Sequence, residues 1–381
     1  MPPASTDKPR SVELDSLRAL AAVSVVIFHV GTTSWKNWEP FVGGFTSHLN
    51  VGVTLFFLLS GYLLYRPFAR SALFLHAVPS LTRYARHRFL RIAPAYWVAL
   101  TLLALWPGLG GVFTSRWWVY YGFAQSYRRS WWVGGIEPAW SLSVEVAFYV
   151  LMPFFALGLA RISRGLPLRA RYGLQLSALS VLGVVGIALN FWISRARWVD
   201  SILAYLLWFA LGMALAVSRC RLDEQASASG RLRSMIAHPN VCWGLALAIY
   251  IGIALAPIFP RPFDGRTYSA LILTTQHVLY AITAALLMLP AVFGGSTGSL
   301  PRRLLANRSL AWLGAISYGI FLWHAPLLRA IFKHGGATLI PGWPFLSLLI
   351  LTMGAAVLCG WASYRFIEKP AMQLASKRDH S

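Results

Sequence analysis

Arg18 and His29 lie eleven positions apart in LDSLRALAAVSVVIFHV, a segment whose other residues are nearly all apolar or small. At about 100° per residue, eleven steps return to within roughly 20° of the starting direction, so the two side chains share one stripe of a helix. A rise of about 1.5 Å per residue sets them roughly 16 Å apart along the axis, half the thickness of a bilayer's hydrocarbon core. Ionisable groups are costly in lipid and face a bundle interior or a wet cavity. A cation at one end and an imidazole at the other suit a long ligand lying along the helix. An arginine snorkelling to the headgroups and a histidine bonded to a neighbouring helix give the same pattern.

Of the 12 acidic residues, Glu145 in WSLSVEVAFYV stands well inside an apolar span. Counted inward from Trp140, it falls at the depth of His29. A carboxylate and an imidazole meeting there from different helices form a candidate acid/base pair; a structural Glu–His or Glu–Arg bond is the alternative. A third group is the basic run RYARHRFLRIAPAYW at 83–97, where Arg88 and Arg91 share a helix face. Pro94 suits the first turn of a helix, which places these guanidinium groups at a helix N-terminus, a natural phosphate site. Plain anchoring of a basic loop at the cytoplasmic face is the simpler account of such a cluster. Ser60 and Gly61 permit close approach to a ligand or to another helix.

These residues must be positioned by membrane helices. The 381 residues are 57% hydrophobic and 12% charged, half the charge of a typical soluble domain. Apolar runs at about 14–33, 51–66, 92–107, 139–160, 173–193, 200–218, 241–259, 268–293, 311–333 and 344–364 predict an all-α integral membrane protein of about ten transmembrane helices in one domain. The first run is long and lacks a small-residue cleavage site, so it reads as a retained helix rather than a removed leader. Lys and Arg crowd the segments 66–91, 161–171, 219–233 and 302–308 and both chain ends, which places both termini in the cytoplasm. The net charge of +22 is spread between apolar spans, which argues against a nucleic-acid partner and for topology signals plus an anion site. The three cysteines have neither disulfide nor metal-ligand spacing, and no metal is expected. The longest outer loop, 108–138, carries paired tryptophans suited to the interface or to an acceptor entrance. Pro370 is expected to end the last helix, leaving 371–381 as a short cytoplasmic tail.

Taken together, Arg18 with ten residues before His29, FFLLSGYLL at 56–64, RFLRIAPAYW at 88–97, WSLSVEVAFY at 140–149, ISYGIFLWHAPL at 316–327 and FIEKP at 366–370 resemble the acyltransferase family 3 membrane proteins. That family contains bacterial O-acyltransferases of polysaccharides, glycolipids and macrolides. The resemblance spans essentially the whole chain and implies a transmembrane acyltransferase domain over 1–370. It implies transfer of an acyl group, most often acetyl from acetyl-CoA, to a hydroxyl of a sugar, glycolipid or macrolide, in a bacterial cell membrane. Relatives can carry a C-terminal SGNH hydrolase-like domain, for which the residues after FIEKP are too few. On this reading His29 is the general base assisted by Glu145, either directly or through a transient acyl-His29. Arg18, Arg88, Arg91, Ser60 and Gly61 hold acetyl-CoA, and Trp140, Ser141, Tyr318 and His324 face the acceptor. The rival readings are a glycolipid transporter or flippase that uses the same buried charges without chemistry, and a membrane scaffold.

Overall fold

A computed structural model describes residues 11–39, 41–132, 134–196, 201–224, 238–261, 264–294 and 298–377. Among the described residues the regular structure is helical, with no strand. Ten helical segments answer to the ten apolar runs: α1 (Val12–Thr33), α2 (Val51–Phe74), α3 (Leu81–Leu103), α4 (Trp140–Ser163), α5 (Leu168–Ala196), α6 (Leu206–Glu224), α7 (Pro239–Leu255), α8 (Ala270–Phe293), a broken α9 (α9a, Arg308–Ala315; α9b, Ser317–Lys333) and α10 (Pro344–Ser363). Among the described residues, eight helices are long and apolar enough to cross a bilayer, and α9 makes a ninth if its halves, bent by 67°, count as one span. At 17 residues, α7 is shorter, about 25 Å, still close to the hydrocarbon thickness. The chain is an integral membrane protein. The segments predicted as loops at 194–199, 219–233 and 260–267 fall partly outside the described residues.

With lipid as apolar as leucine, helices gain by close packing rather than by escaping solvent, and small residues permit it. Between α1 and α9a, a Cβ added to Gly314 would sit 1.7 Å from the Asp15 carbonyl oxygen. Between α2 and α6, Gly212 meets the Leu58 carbonyl in the same way, at 2.1 Å. The α2–α6 seam continues into an aromatic stack, with Phe209 against Phe57 at 4.9 Å and against Phe148 of α4 at 4.0 Å. Thus α1 lies directly against α9a, and α2, α4 and α6 share one aromatic seam.

Four features differ from the sequence reading, each for a physical reason. Helix α3 starts eleven residues before the apolar run at 92–107, because Ser80 caps it by accepting from the Arg83 amide at 3.4 Å and the basic turns that follow are good helix formers. Pro94 therefore lies inside α3 and not in its first turn, and Arg88 and Arg91 are not at a helix N-terminus. The loop 108–138 does not lie flat on the interface. It folds inward, with Tyr96 donating to the Tyr120 carbonyl at 2.8 Å, Trp97 to the Tyr121 carbonyl at 2.9 Å, and Val112, Val119 and Ile136 buried. Trp117 and Trp118 stay exposed, as an interfacial segment requires. Finally, Pro370 does not stop the chain's helical course. A wide π-type turn over Tyr364–Glu368 leads into a helix Lys369–Lys377, in whose first turn a residue without an N–H is tolerated. Residues 371–377 are therefore helical, with Ala371 and Ala375 buried; 378–381 lie outside the described residues.

The α1–α9a contact yields a stability test. Gly314→Ala forces the helices apart at Asp15 and should destabilise the protein by about 2 kcal/mol or more. Gly158→Ala, on α4 with nothing within 4 Å of the added carbon, should be neutral or slightly stabilising. Thermal unfolding of both variants in one detergent measures the difference.

Candidate active site

Arg18, on α1, is the first side chain of a cavity of about 100 Å³ in the bundle interior, enough for several water molecules. Its Nη1 donates to Asp15 at 2.9 Å, so the guanidinium is held against its own helix. Arg88 and Arg91 enter the same cavity from α3, one turn apart. The Nη1 of Arg91 lies 3.1 Å from the Met372 sulfur, which places helix Lys369–Lys377 behind it. The Nε of Arg88 is buried and has no hydrogen-bond partner among the described residues. A buried guanidinium N–H without an acceptor is costly, and an anionic ligand relieves that cost.

The counter-charge is Glu145. Ser60 of α2 donates to its Oε1, and the Tyr149 hydroxyl, one turn along α4, donates to the same oxygen at 2.7 Å. Oε2 takes no hydrogen bond from a described residue. Ser141 of α4 and Ser317 and Tyr318 of α9b complete the polar lining. The Ser141 hydroxyl donates to the Pro138 carbonyl at 3.0 Å and the Tyr318 hydroxyl to the Ile92 carbonyl at 3.0 Å, so both are fixed by backbone. The break in α9 at Ile316 brings the first turn of α9b to this cavity. Its unpaired N–H groups add partial positive charge within the membrane, the arrangement by which broken helices face anionic groups.

His29 does not line this cavity. It stands further along α1, its Nδ1 2.9 Å from the Val25 carbonyl and 3.3 Å from Nε2 of His324 on α9b, with Phe28 packed edge-on at 4.9 Å. The nearby charges are Glu137 and Arg329, which pair with each other at 2.7 Å. The two places are joined along α9b, since Phe321 lines the cavity and its carbonyl accepts from His324 Nδ1 at 2.8 Å.

The structure thus gathers Arg18, Ser60, Arg88, Arg91, Ser141, Glu145 and Tyr318 and sets His29 with His324 apart from them. No hydrogen bond joins His29 to Glu145. The sequence expectation counts depth from Trp140 as an interface residue, but the inward fold of the preceding loop packs Trp140 against other aromatic rings, stacked on Trp132 at 5.8 Å and against Tyr205 at 5.6 Å. Trp140 is absent from the cavity wall, as is Gly61, whose added Cβ would meet the Phe209 carbonyl at 2.5 Å; Gly61 serves the α2–α6 seam. Tyr149 is a site residue that the sequence reading passed over, although its i, i+4 spacing from Glu145 was visible. Glu137 and Arg329 had no local signal, since the loop fold alone brings them together. No group of three His, Cys, Asp or Glu able to hold a metal occurs among the described residues.

A family model described as an acyltransferase domain matches residues 11–365. Among curated proteins, YrhL of Bacillus subtilis, to which peptidoglycan O-acetyltransferase activity is ascribed, is 27% identical over 94% of this chain and 54% of its own length. The peptidoglycan O-acetyltransferase OatA of Listeria monocytogenes is 25% identical over 94% of this chain and 55% of its own. The O-acetyltransferase OatA of Staphylococcus aureus is 25% identical over 94% and 56%. The chain spans about half the length of these relatives. No solved structure matches it.

The double donation to Glu145 is open to test. Tyr149→Phe and Ser60→Ala each remove one donor from a carboxylate in the bundle interior and should each lower stability by about 1.5–3 kcal/mol, the range for hydrogen bonds to charged groups. Thermal melts of the two variants and their double mutant are the measurement. An additive double mutant with no loss in either single would show the contacts to be idle.

Proposed function

The chain belongs to this acyltransferase family, and from that premise we propose that it is a membrane O-acyltransferase moving an acetyl group from acetyl-CoA to a hydroxyl of a cell-envelope glycan. The observation that carries the reading is the division of one helix into two stations. Arg18 lies at one end, in a cavity shared with Arg88 and Arg91, and His29 lies at the other. The relatives supply acetyl as the group and peptidoglycan as the model acceptor. The three guanidinium groups support a donor that carries phosphates, since planar N–H forks bind phosphate in pairs.

In this mechanism the phosphates of acetyl-CoA rest at Arg88 and Arg91, reached from the cytoplasm. Both termini and the 161–171 segment lie on the cytoplasmic side by their basic residues. Arg18 and the first turn of α9b stabilise negative charge along the path. Glu145, fixed by Ser60 and Tyr149, offsets part of the positive charge, so that the empty cavity is not prohibitively cationic and the donor can leave after reaction. The acceptor hydroxyl approaches His29 from the opposite side. His29 Nε2 removes its proton as the oxygen attacks the thioester carbonyl; the carbon–sulfur bond breaks, the ester forms, and the thiolate takes up the proton. An acetyl-His29 intermediate gives the same products in two steps. A transporter has no need of a general base, which separates the two classes.

Replacing Arg88 and Arg91 together by Gln should weaken acetyl-CoA binding by roughly a hundredfold or more while leaving acceptor affinity nearly unchanged. Unchanged CoA affinity in the folded double variant would return the cluster to membrane anchoring. His29→Ala should lower turnover by roughly 10²–10⁴ while CoA still raises the melting temperature, because His29 does not touch the phosphates. Full acetyl transfer by that variant would remove His29 from the chemistry. Cysteine placed at Gly165 and labelled with an impermeant maleimide tests the orientation. Protection in intact cells is expected, and labelling would invert the map.

A further inference from the structure

We infer that His324 is a positioning residue that, together with the Val25 carbonyl, fixes the tautomer of His29 and sets its ring orientation, an inference that rests on His29 being the general base proposed above. His324 is fully buried on α9b. Its Nδ1 lies 2.8 Å from the Phe321 carbonyl and 3.1 Å from the Ile320 carbonyl. Carbonyl oxygens only accept, so Nδ1 bears the proton and Nε2 bears a lone pair. That Nε2 faces His29 Nδ1 at 3.3 Å, and the same His29 nitrogen lies 2.9 Å from the Val25 carbonyl. Both neighbours of His29 Nδ1 are acceptors, so it too bears the proton. The basic lone pair of His29 is thereby placed on Nε2, which takes no hydrogen bond from a described residue.

The arrangement has the logic of a nucleophile–base–orienter chain with a neutral orienter. When His29 Nε2 takes a proton from the acceptor hydroxyl, the ring becomes an imidazolium, and its Nδ1–H bond to His324 becomes charge-assisted and stronger. The Val25 carbonyl holds the ring along its own helix; His324 reaches it from α9b and fixes its rotation. A carboxylate at this place would add a net charge in the membrane, with the solvation cost that entails, whereas a neutral imidazole supplies the acceptor without one. The charged groups beside the pair, Glu137 and Arg329, neutralise each other.

Three substitutions at His324 separate positioning from packing. A Gln carbonyl can take the place of Nε2 and accept from His29; the shorter Asn does not reach; Phe keeps the ring shape and removes the acceptor. With the full chain in nanodiscs, acetyl-CoA as donor and soluble peptidoglycan fragments as acceptor, His324→Phe should lower kcat roughly tenfold to a hundredfold with both KM values unchanged. His324→Gln should recover most of that loss, and His324→Asn should not, at equal melting temperature. Loss of kcat that tracks melting temperature across the three variants would overturn the inference, as would full turnover in His324→Phe alongside an inactive His29→Ala. If the Phe variant does not fold, the Gln–Asn comparison decides. A readout independent of turnover is ¹⁵N NMR of histidine-labelled protein, in which His29 should be protonated at Nδ1. Protonation at Nε2 would overturn the inference directly. The described tautomer in a protein that transfers no acetyl would instead count against the proposed function and leave the pair standing.

Discussion

The cost of holding charge inside a membrane governs this structure. Three guanidinium groups and one carboxylate converge on a single cavity, and each could be placed there only if its neighbours and some water shared the burden. Asp15 takes part of the charge of Arg18, and Glu145 is itself held by two hydroxyl donors. The site is a charge balance that stops short of completion. Arg88 Nε remains without an acceptor among the described residues, and this supports the anionic donor of the proposed mechanism.

The balance depends on backbone features that bring distant helices within reach. The contact of Gly314 with the Asp15 carbonyl lets α9a lie against α1 directly beneath Arg18. The break at Ile316 then turns the chain so that Ser317 and Tyr318 enter the cavity and, two turns later, His324 meets His29. A continuous helix through 308–333 could not serve both places, because its direction would be set by the first contact. The π-type turn at Tyr364–Glu368 has a comparable role at the chain's end, returning helix Lys369–Lys377 to the flank of α3, where Met372 reaches Arg91.

Much of this was legible in the sequence, and what was not has a consistent cause. All ten apolar runs are helices, because membrane helices announce themselves by composition. Helical periodicity puts Arg18 and His29 on one stripe, Glu145 stands out as a carboxylate inside an apolar span, Arg88 and Arg91 as basic residues sharing a helix face, and Ser60 as a small residue that permits close approach. The errors arose where the chain departs from a straight helix or a flat loop. The inward fold of 108–138 packs Trp140 against Trp132 and Tyr205, so Trp140 is no marker of the interface from which to count the depth of Glu145. Ser80 extended α3 by a cap that a hydropathy window does not see, which cost Pro94 its assigned position. Glu137 and Arg329 are 192 residues apart, and no spacing rule links them.

The continuity of α1 from Arg18 to His29 has a consequence for the donor of the proposed mechanism. Arg18 and His29 are carried by one helix of 22 residues, unbroken between them, so the rise of the helix sets the distance from one to the other. The helix therefore acts as a ruler. On the proposed mechanism, a donor whose anionic end and reactive carbonyl differ from that separation by more than the side chains can absorb would bind and yet present nothing to His29, which would make reach, as well as charge, a criterion of selection.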